Sequence, residues 1–134
     1  VRSALTEGIV PGGGVALLEQ SSRLSAYSLR RKISSEESLA AKVLSIALEA
    51  PFIQIITNAG IDSEEVLNKV IDSRRRGYGF NVKTRKYGNM IRQGVVDPAK
   101  VTKSALRNAV AVATTILSTN AIITSARTYE EASK

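Results

Sequence analysis

Apolar residues recur three and four positions apart through roughly the first seventy residues, and glycine, proline and short polar residues break that rhythm into segments. Residues 1–7 read as the last turns of a helix closed by Gly8, since glycine just past a helix end takes up the left-handed conformation that caps it. Gly12-Gly13-Gly14 follows Val10-Pro11. From about Gly13 to Ala26, Val15, Leu18 and Leu24 give a helix one apolar side, and residues 27–33 read as a basic connector. Ser34 and Glu37 have the S-x-x-E spacing of a capping box, which predicts a strong helix start. The helix so begun carries Leu39, Val43, Ile46 and Ala50 on one face. Pro51 is expected to end or kink it and to open a second short helix through Ile53 and Ile56, closed by Asn58-Ala59-Gly60. Asp62 and Glu65 repeat the capping pattern, and Val66, Leu67, Val70 and Ile71 give a further amphipathic helix.

At Arg74-Arg75-Arg76 the helical rhythm stops. Residues 77–82 alternate, with Tyr78, Phe80 and Val82 on one face, and Lys83 to Lys86 separate them from Tyr87, which predicts a small hairpin. Asn81 falls on the opposite face, where an exposed asparagine serves as a turn residue. Gly88 to Gln93 reads as a helical turn closed by Gly94. Asp97-Pro98 looks like an N-cap followed by proline at the first helical position, opening the longest helix of the chain, through about Ser118. Its second half is apolar nearly all round, the pattern of a helix buried among others. Ala121 to Thr124 is β-prone and reads as a C-terminal edge strand in need of a partner, and residues 127–134 as a polar tail.

At 134 residues the chain is long enough for one core and short for two. Apolar residues make up 43% and aromatics only 4%, so aliphatic packing must hold that core. Cysteine and histidine are absent, which excludes disulfides, thiolate metal sites, cysteine nucleophiles and histidine-dependent triads or zinc centres. Nineteen Lys and Arg against 12 Asp and Glu leave a net charge of +7, bunched at Arg30 to Lys32, Arg74 to Arg76 and Lys83 to Lys86. Such clusters suit a solvated loop as well as a polyanion, and no aromatic ladder interleaves with them as single-strand binding would want. The longest uninterrupted apolar run, Ala109 to Ala113, is far below the roughly 20 residues of a membrane span, so no membrane crossing is expected. The chain opens at Val1 with an amphipathic segment already under way, which leads us to expect a piece of a longer protein.

The chemistry concentrates at three places. Gly12, Gly13 and Gly14 stand just before a helix, where backbone N–H groups and the helix dipole favour an anion, although a glycine triplet also serves as a tight connector. Asn81 offers an amide able to read a base edge, or a turn residue. Asp97 offers a carboxylate suited to sugar hydroxyls, or a helix cap.

Taken in order, Arg2-Ser3-Ala4, Glu7 to Leu17, Glu49-Ala50-Pro51, Gln54-Ile55, Asn58-Ala59-Gly60, Tyr78 to Asn81, Tyr87 to Ile91, Gly94 to Pro98 and Lys100 to Leu106 resemble the group I chaperonins, the family of bacterial GroEL and its mitochondrial and chloroplast relatives. The resemblance runs from Val1 to about Thr124. It implies a mainly α fold, a chaperonin equatorial-domain-like helical bundle with a small β-hairpin and a C-terminal edge strand. Residues 1–126 would be the C-terminal half of the equatorial, ATP-binding domain. Position by position, it implies that Gly12, Gly13 and Gly14 form the glycine loop with Gly13 closest to the nucleotide, that Asn81, Val82 and Lys83 lie beside the adenine, and that Asp97 bonds the ribose.

In that family ATP binds with Mg in the intact protein, while the metal-holding loop and the aspartate that activates water lie in segments this chain lacks. The resemblance therefore implies no hydrolysis and no nucleotide bound by this piece alone. It also implies a ring-forming homo-oligomer, with unfolded protein clients and a co-chaperonin as partners of the intact protein. Self-association of the piece is expected, because a half domain exposes apolar faces. The compartment would be the cytoplasm in a bacterium, or the mitochondrial matrix or chloroplast stroma in a eukaryote. Val82-Lys83 is bulkier than the small residues the family usually has there, and the chain is basic where the family is acidic. A non-enzymatic basic module binding RNA or an acidic partner is the alternative, although no nucleic acid is expected from the motif register.

Overall fold

Ser34 opens the helix on which the rest of the first unit is laid. In the structure, a computed structural model that describes residues 2–30 and 34–119, the Ser34 hydroxyl accepts from the Glu37 N–H at 3.2 Å while the Glu37 carboxylate accepts from the Ser34 N–H at 3.1 Å. The expected capping box is complete. Beside it, the Glu36 carboxyl is held below the usual carboxylate range, first by a hydrogen bond with its own backbone and then by the hydroxyls of Ser34 and Ser35.

The chain runs α1 (Arg2–Glu7), β1 (Ile9–Pro11), α2 (Val15–Arg30), α3 (Ser35–Asn58), α4 (Ser63–Ser73), β2 (Tyr78–Asn81), β3 (Lys86–Asn89), β4 (Val96–Pro98) and α5 (Ala99–Leu117). It divides into two compact units, Val1–Val101 and Thr102–Lys134. The mainly helical architecture and the hairpin agree with the sequence reading. The expected edge strand at Ala121 to Thr124 and the polar tail lie outside the described residues.

Several boundaries move. Residues 27–30, expected in a connector, continue α2. Pro51 neither ends nor visibly restarts a helix: α3 runs unbroken through it, because Leu48, Phe52 and Ile56 on either side share one buried face and hold the helix together by packing. Nor is the buried face the expected one. Leu39, Val43 and Ile46 are exposed at 64%, 61% and 60%, whereas Ser45, Leu48, Phe52 and Ile56 point inward. The helix is apolar around most of its circumference, so spacing alone leaves the core side undecided. By length and composition α3 would suit a membrane span, but Phe52 and Ile56 are fully buried in a protein core.

Small residues bring α2 against α3. The Ser21 hydroxyl donates to the Glu49 carboxylate at 2.7 Å, and the Ser25 hydroxyl to that of Ser45 at 3.1 Å. At the start of α2, a Cβ on Gly14 would lie 2.7 Å from both Cα and N of Phe52, and Gly14 has φ +78°. Val15, Leu18, Phe52, Ile56, Val66, Val70, Phe80 and Met90 form the core. The α4 helix begins at Asp62, whose carboxylate accepts from the N–H groups of Glu64 and Glu65 at 2.9 and 3.4 Å, as its sequence predicts.

The hairpin pairs Tyr78 with Asn89 and Phe80 with Tyr87, the latter rings meeting edge to face at 4.8 Å. Gly88 and Asn89, expected in a helical turn, belong to β3; the turn itself spans residues 90–94, where the Gly94 N–H reaches the Ile91 carbonyl at 3.0 Å. A second antiparallel pair, β1 with β4, has no counterpart in the sequence reading and sets Val10 opposite Asp97. It shifts the start of the last helix: Asp97 and Pro98 are strand residues and α5 begins at Ala99, whose N–H donates to the Gly8 carbonyl at 3.0 Å. From Thr102 onward α5 belongs to the second unit. There Leu106, Val110, Val112, Ile116 and Leu117, expected to be buried, are exposed; an aliphatic helix surface of this kind calls for a covering partner.

Three outcomes follow from these contacts. Ser34→Ala should lower stability by about 1 kcal/mol in urea unfolding, through loss of the cap. Gly14→Ala should cost roughly 2–5 kcal/mol, combining left-handed backbone strain with overpacking against α3, whereas Gly60→Ala, at φ +69° with open space around it, should cost only about 1–2 kcal/mol. Because the Glu36 carboxyl is lowered in the folded state, its support for α3 is complete above the unfolded-chain value and is lost as pH falls through the folded one. Glu36→Gln should flatten the acid limb of a helix-content titration.

Candidate functional site

The glycine triplet divides by role. Gly12 is buried, its N–H donates to the Val95 carbonyl at 3.0 Å, and a Cβ there would come within 3.0 Å of the Val96 nitrogen. Close backbone approach thus requires Gly12 and Gly14 for reasons of packing. Gly13 is different: at φ +66° a Cβ would meet only side-chain ends, Met90 Cε at 3.3 Å and Val95 Cγ1 at 3.8 Å. Among the described residues the N–H groups of Gly13 and Gly14 have no acceptor. Both lie at the N-terminus of the 16-residue α2, where unsatisfied donors and the helix dipole favour an anion.

Asp97 reaches this neighbourhood through the β1–β4 ladder. Pairing of Val10 with Asp97 and of Pro11 with Val96 fixes it beside the strand that leads into the glycines, and its side chain is exposed. A carboxylate and a set of free N–H donors therefore share one end of the first unit. The sequence reading had no sign of this ladder, because three-residue strands carry too little alternation to show a period.

Asn81 ends β2 and is buried rather than exposed, at 8%. Its side-chain oxygen accepts from the N–H groups of Lys83 and Thr84 at 3.1 and 3.3 Å, closing the hairpin turn. The turn role read from sequence is real, and it still leaves the amide NH₂ for other work. Val82 is partly buried and packs against the core, while the Lys83 side chain is exposed. The hairpin is tied to the glycine loop from below: a Cβ on Gly79 would run into Val15 and Met90, the latter also lying under Gly13. Among the described residues no hydrogen bond joins Asn81, Val82 or Lys83 directly to Gly12, Gly13 or Gly14. Glu19 of α2 accepts from the Gly77 N–H at the entry to β2, a link that nothing in the sequence announces.

Two clefts open elsewhere in the first unit. One, of about 760 Å³, lies between α2, the end of α4 and the arginine run; the other, of about 350 Å³, lies beside β1. Neither is lined by Gly13, Asn81, Lys83 or Asp97. Among the described residues no three acidic, histidine or cysteine side chains converge as metal ligands.

The model of the TCP-1/cpn60 chaperonin family matches residues 1–127. Chaperonin GroEL 1 of Polaromonas naphthalenivorans (strain CJ2) is 42% identical over 125 residues, which is 93% of this chain and 22% of that protein. Two solved structures share the fold. The open-state monomer of a group II chaperonin from Methanococcoides burtonii superposes with a TM-score of 0.75 at 28% identity, over 83% of this chain and 28% of that one. A group III chaperonin in the open state gives a TM-score of 0.80 at 32% identity, over 90% and 25%. The chain thus spans about a quarter of the length of the relatives it matches. With the family motifs in register from the glycine loop to the start of α5, the chain belongs to the TCP-1/cpn60 chaperonin family.

Proposed function

We propose that the chain supplies one side of the nucleotide site of an ATP-dependent protein-folding chaperonin, with residues 1–126 as the C-terminal half of its equatorial domain. The observation that carries this reading is the pair of free N–H groups at Gly13 and Gly14, set at a helix N-terminus with Asp97 held nearby by the β1–β4 ladder. Those donors suit a phosphate group, and the Asp97 carboxylate suits the ribose hydroxyls. Asn81 would read the adenine through its NH₂ while its oxygen holds the turn, with Val82 and Lys83 shaping that flank. Gly12 and Gly14 act by letting the loop lie flat on Val95 and Phe52.

Bound ATP with Mg would supply the phosphoryl group and its charge neutralisation; this chain's part is to bind and orient the nucleoside end. In the intact protein we infer a homo-oligomeric ring that takes unfolded polypeptides and a co-chaperonin, working in the cytoplasm if the source is bacterial. The exposed apolar residues on the first half of α3 and along α5 are surfaces for that assembly, and for self-association of the chain alone. The family match favours this reading over a basic RNA-binding module.

A chimera tests the assignment. The 125 residues that align with the Polaromonas relative would replace its matching segment, and ATP hydrolysis would be followed in the assembled product. The chimera should turn over ATP, while the 134-residue chain alone should not. Asn81→Asp keeps the oxygen that closes the turn and removes the NH₂. Because it puts a charge at a buried position, in the chimera it should lower stability by about 1–3 kcal/mol while raising the KM for ATP about tenfold. Asp97→Asn should also raise that KM. Unchanged kinetics in both variants would remove Asn81 and Asp97 from the site.

A further inference from the structure

The arginine run has no part in the nucleotide reading, yet it borders the larger cleft of the first unit. The cleft holds about 760 Å³, within the range of small-ligand sites. Ala26, Ile71 and Tyr78 supply its accessible apolar wall over a floor closed by the buried Val15, Leu18 and Val70, and Arg23, Arg74, Arg75 and Arg76 supply its charge. The four guanidinium groups are exposed, and among the described residues none forms an ion pair. Two carboxylates also line the cleft, Glu19, which accepts from the Gly77 N–H, and Glu49, which accepts from the Ser21 hydroxyl at 2.7 Å; the four guanidinium groups outnumber them and leave the cleft net positive.

The backbone fixes where the arginines stand. Arg74 caps α4 in the left-handed region at φ 50°, with its N–H on the Ile71 carbonyl at 3.1 Å. The Arg75 guanidinium lies 5.8 Å from the centre of the Tyr78 ring, a cation–π contact that steadies it at the cleft wall. The Gly77 N–H held by Glu19 anchors the far end of the run. The result is an apolar hollow with an anchored arginine rim. Guanidinium forks match carboxylates in geometry and desolvate more readily than ammonium groups.

We propose that this cleft binds an amphipathic organic anion of the long-chain carboxylate class, its head on Arg74 to Arg76 and its chain over Ile71, Ala26 and the Tyr78 ring. Charge complementarity and volume both argue for such an occupant: an apolar body alone would leave the rim unmatched, and a bare anion would leave the lining wet. The site is independent of the nucleotide reading.

Titration calorimetry on the full chain tests it, with dodecanoate below its micelle concentration as the probe. Dodecyltrimethylammonium serves as the cationic counterpart, and acetate as the head group alone. Dodecanoate should bind saturably at one site, with acetate and the cation at least about tenfold weaker. The double variant Arg75→Ala, Arg76→Ala changes exposed side chains and should keep the circular dichroism spectrum while weakening dodecanoate about tenfold or more. Should the double variant lose the fold, Arg23→Ala alone is the second arm, with a weakening of at least about threefold expected. Equal affinity for the anionic and cationic probes, multiple non-saturating sites, or a variant that binds as the parent does would each overturn the proposal. Tight binding of an acidic peptide with no dodecanoate binding would overturn it in favour of a protein partner.

Discussion

Everything near the candidate site depends on how closely the first turn of α2 approaches α3 at Phe52. The absence of a side chain at Gly14 permits that approach, and no other residue could stand there without moving a helix backbone. Once the two helices meet, Val15 and Leu18 fall onto Phe52 and Ile56, and the hairpin closes over them with Phe80 and Met90. The glycine loop is then the rim of the core. Its conformation is set by packing below it, which is how two N–H groups can stay open above without collapsing onto a protein acceptor.

Much of this was legible in the chain, where local chemistry decides the outcome. The capping box at Ser34, the Asp62 cap, the glycine closures at Gly8 and Gly60 and the Tyr78 to Tyr87 hairpin depend on neighbours a few residues away. What escaped depends on distant partners. The inward face of α3 was misread because that helix is apolar on most sides and only its fit with Ser21 and Ser25 selects Ser45 and Leu48. Pro51 does not end α3, since burial of Phe52 and Ile56 outweighs the loss of one helical hydrogen bond. The β1–β4 pairing was invisible for the same reason, and it moved Asp97 from helix cap to strand.

The candidate site residues show the same division. Gly12 and Gly14 are conspicuous as glycines yet have structural work, and only Gly13 has room above it. Asn81 combines both roles in one side chain, oxygen inward to the turn and nitrogen left over. Motif register picks these positions out as a group, and the structure brings Gly13, Gly14 and Asp97 toward one end of the first unit. Physical reading of the contacts is what separates those that shape the loop from those that could touch a ligand.

The β1–β4 ladder has a kinetic side. Val10 and Asp97 come from opposite ends of the first unit, so the glycine loop and Asp97 meet only when nearly the whole unit has closed a long loop of chain. Contacts of such high sequence separation are slow to form, because the loop between them must close first. Under the proposed function, nucleotide recognition would then report that the unit has finished folding, because the Gly13 and Gly14 donors and the Asp97 carboxylate come together only at the end.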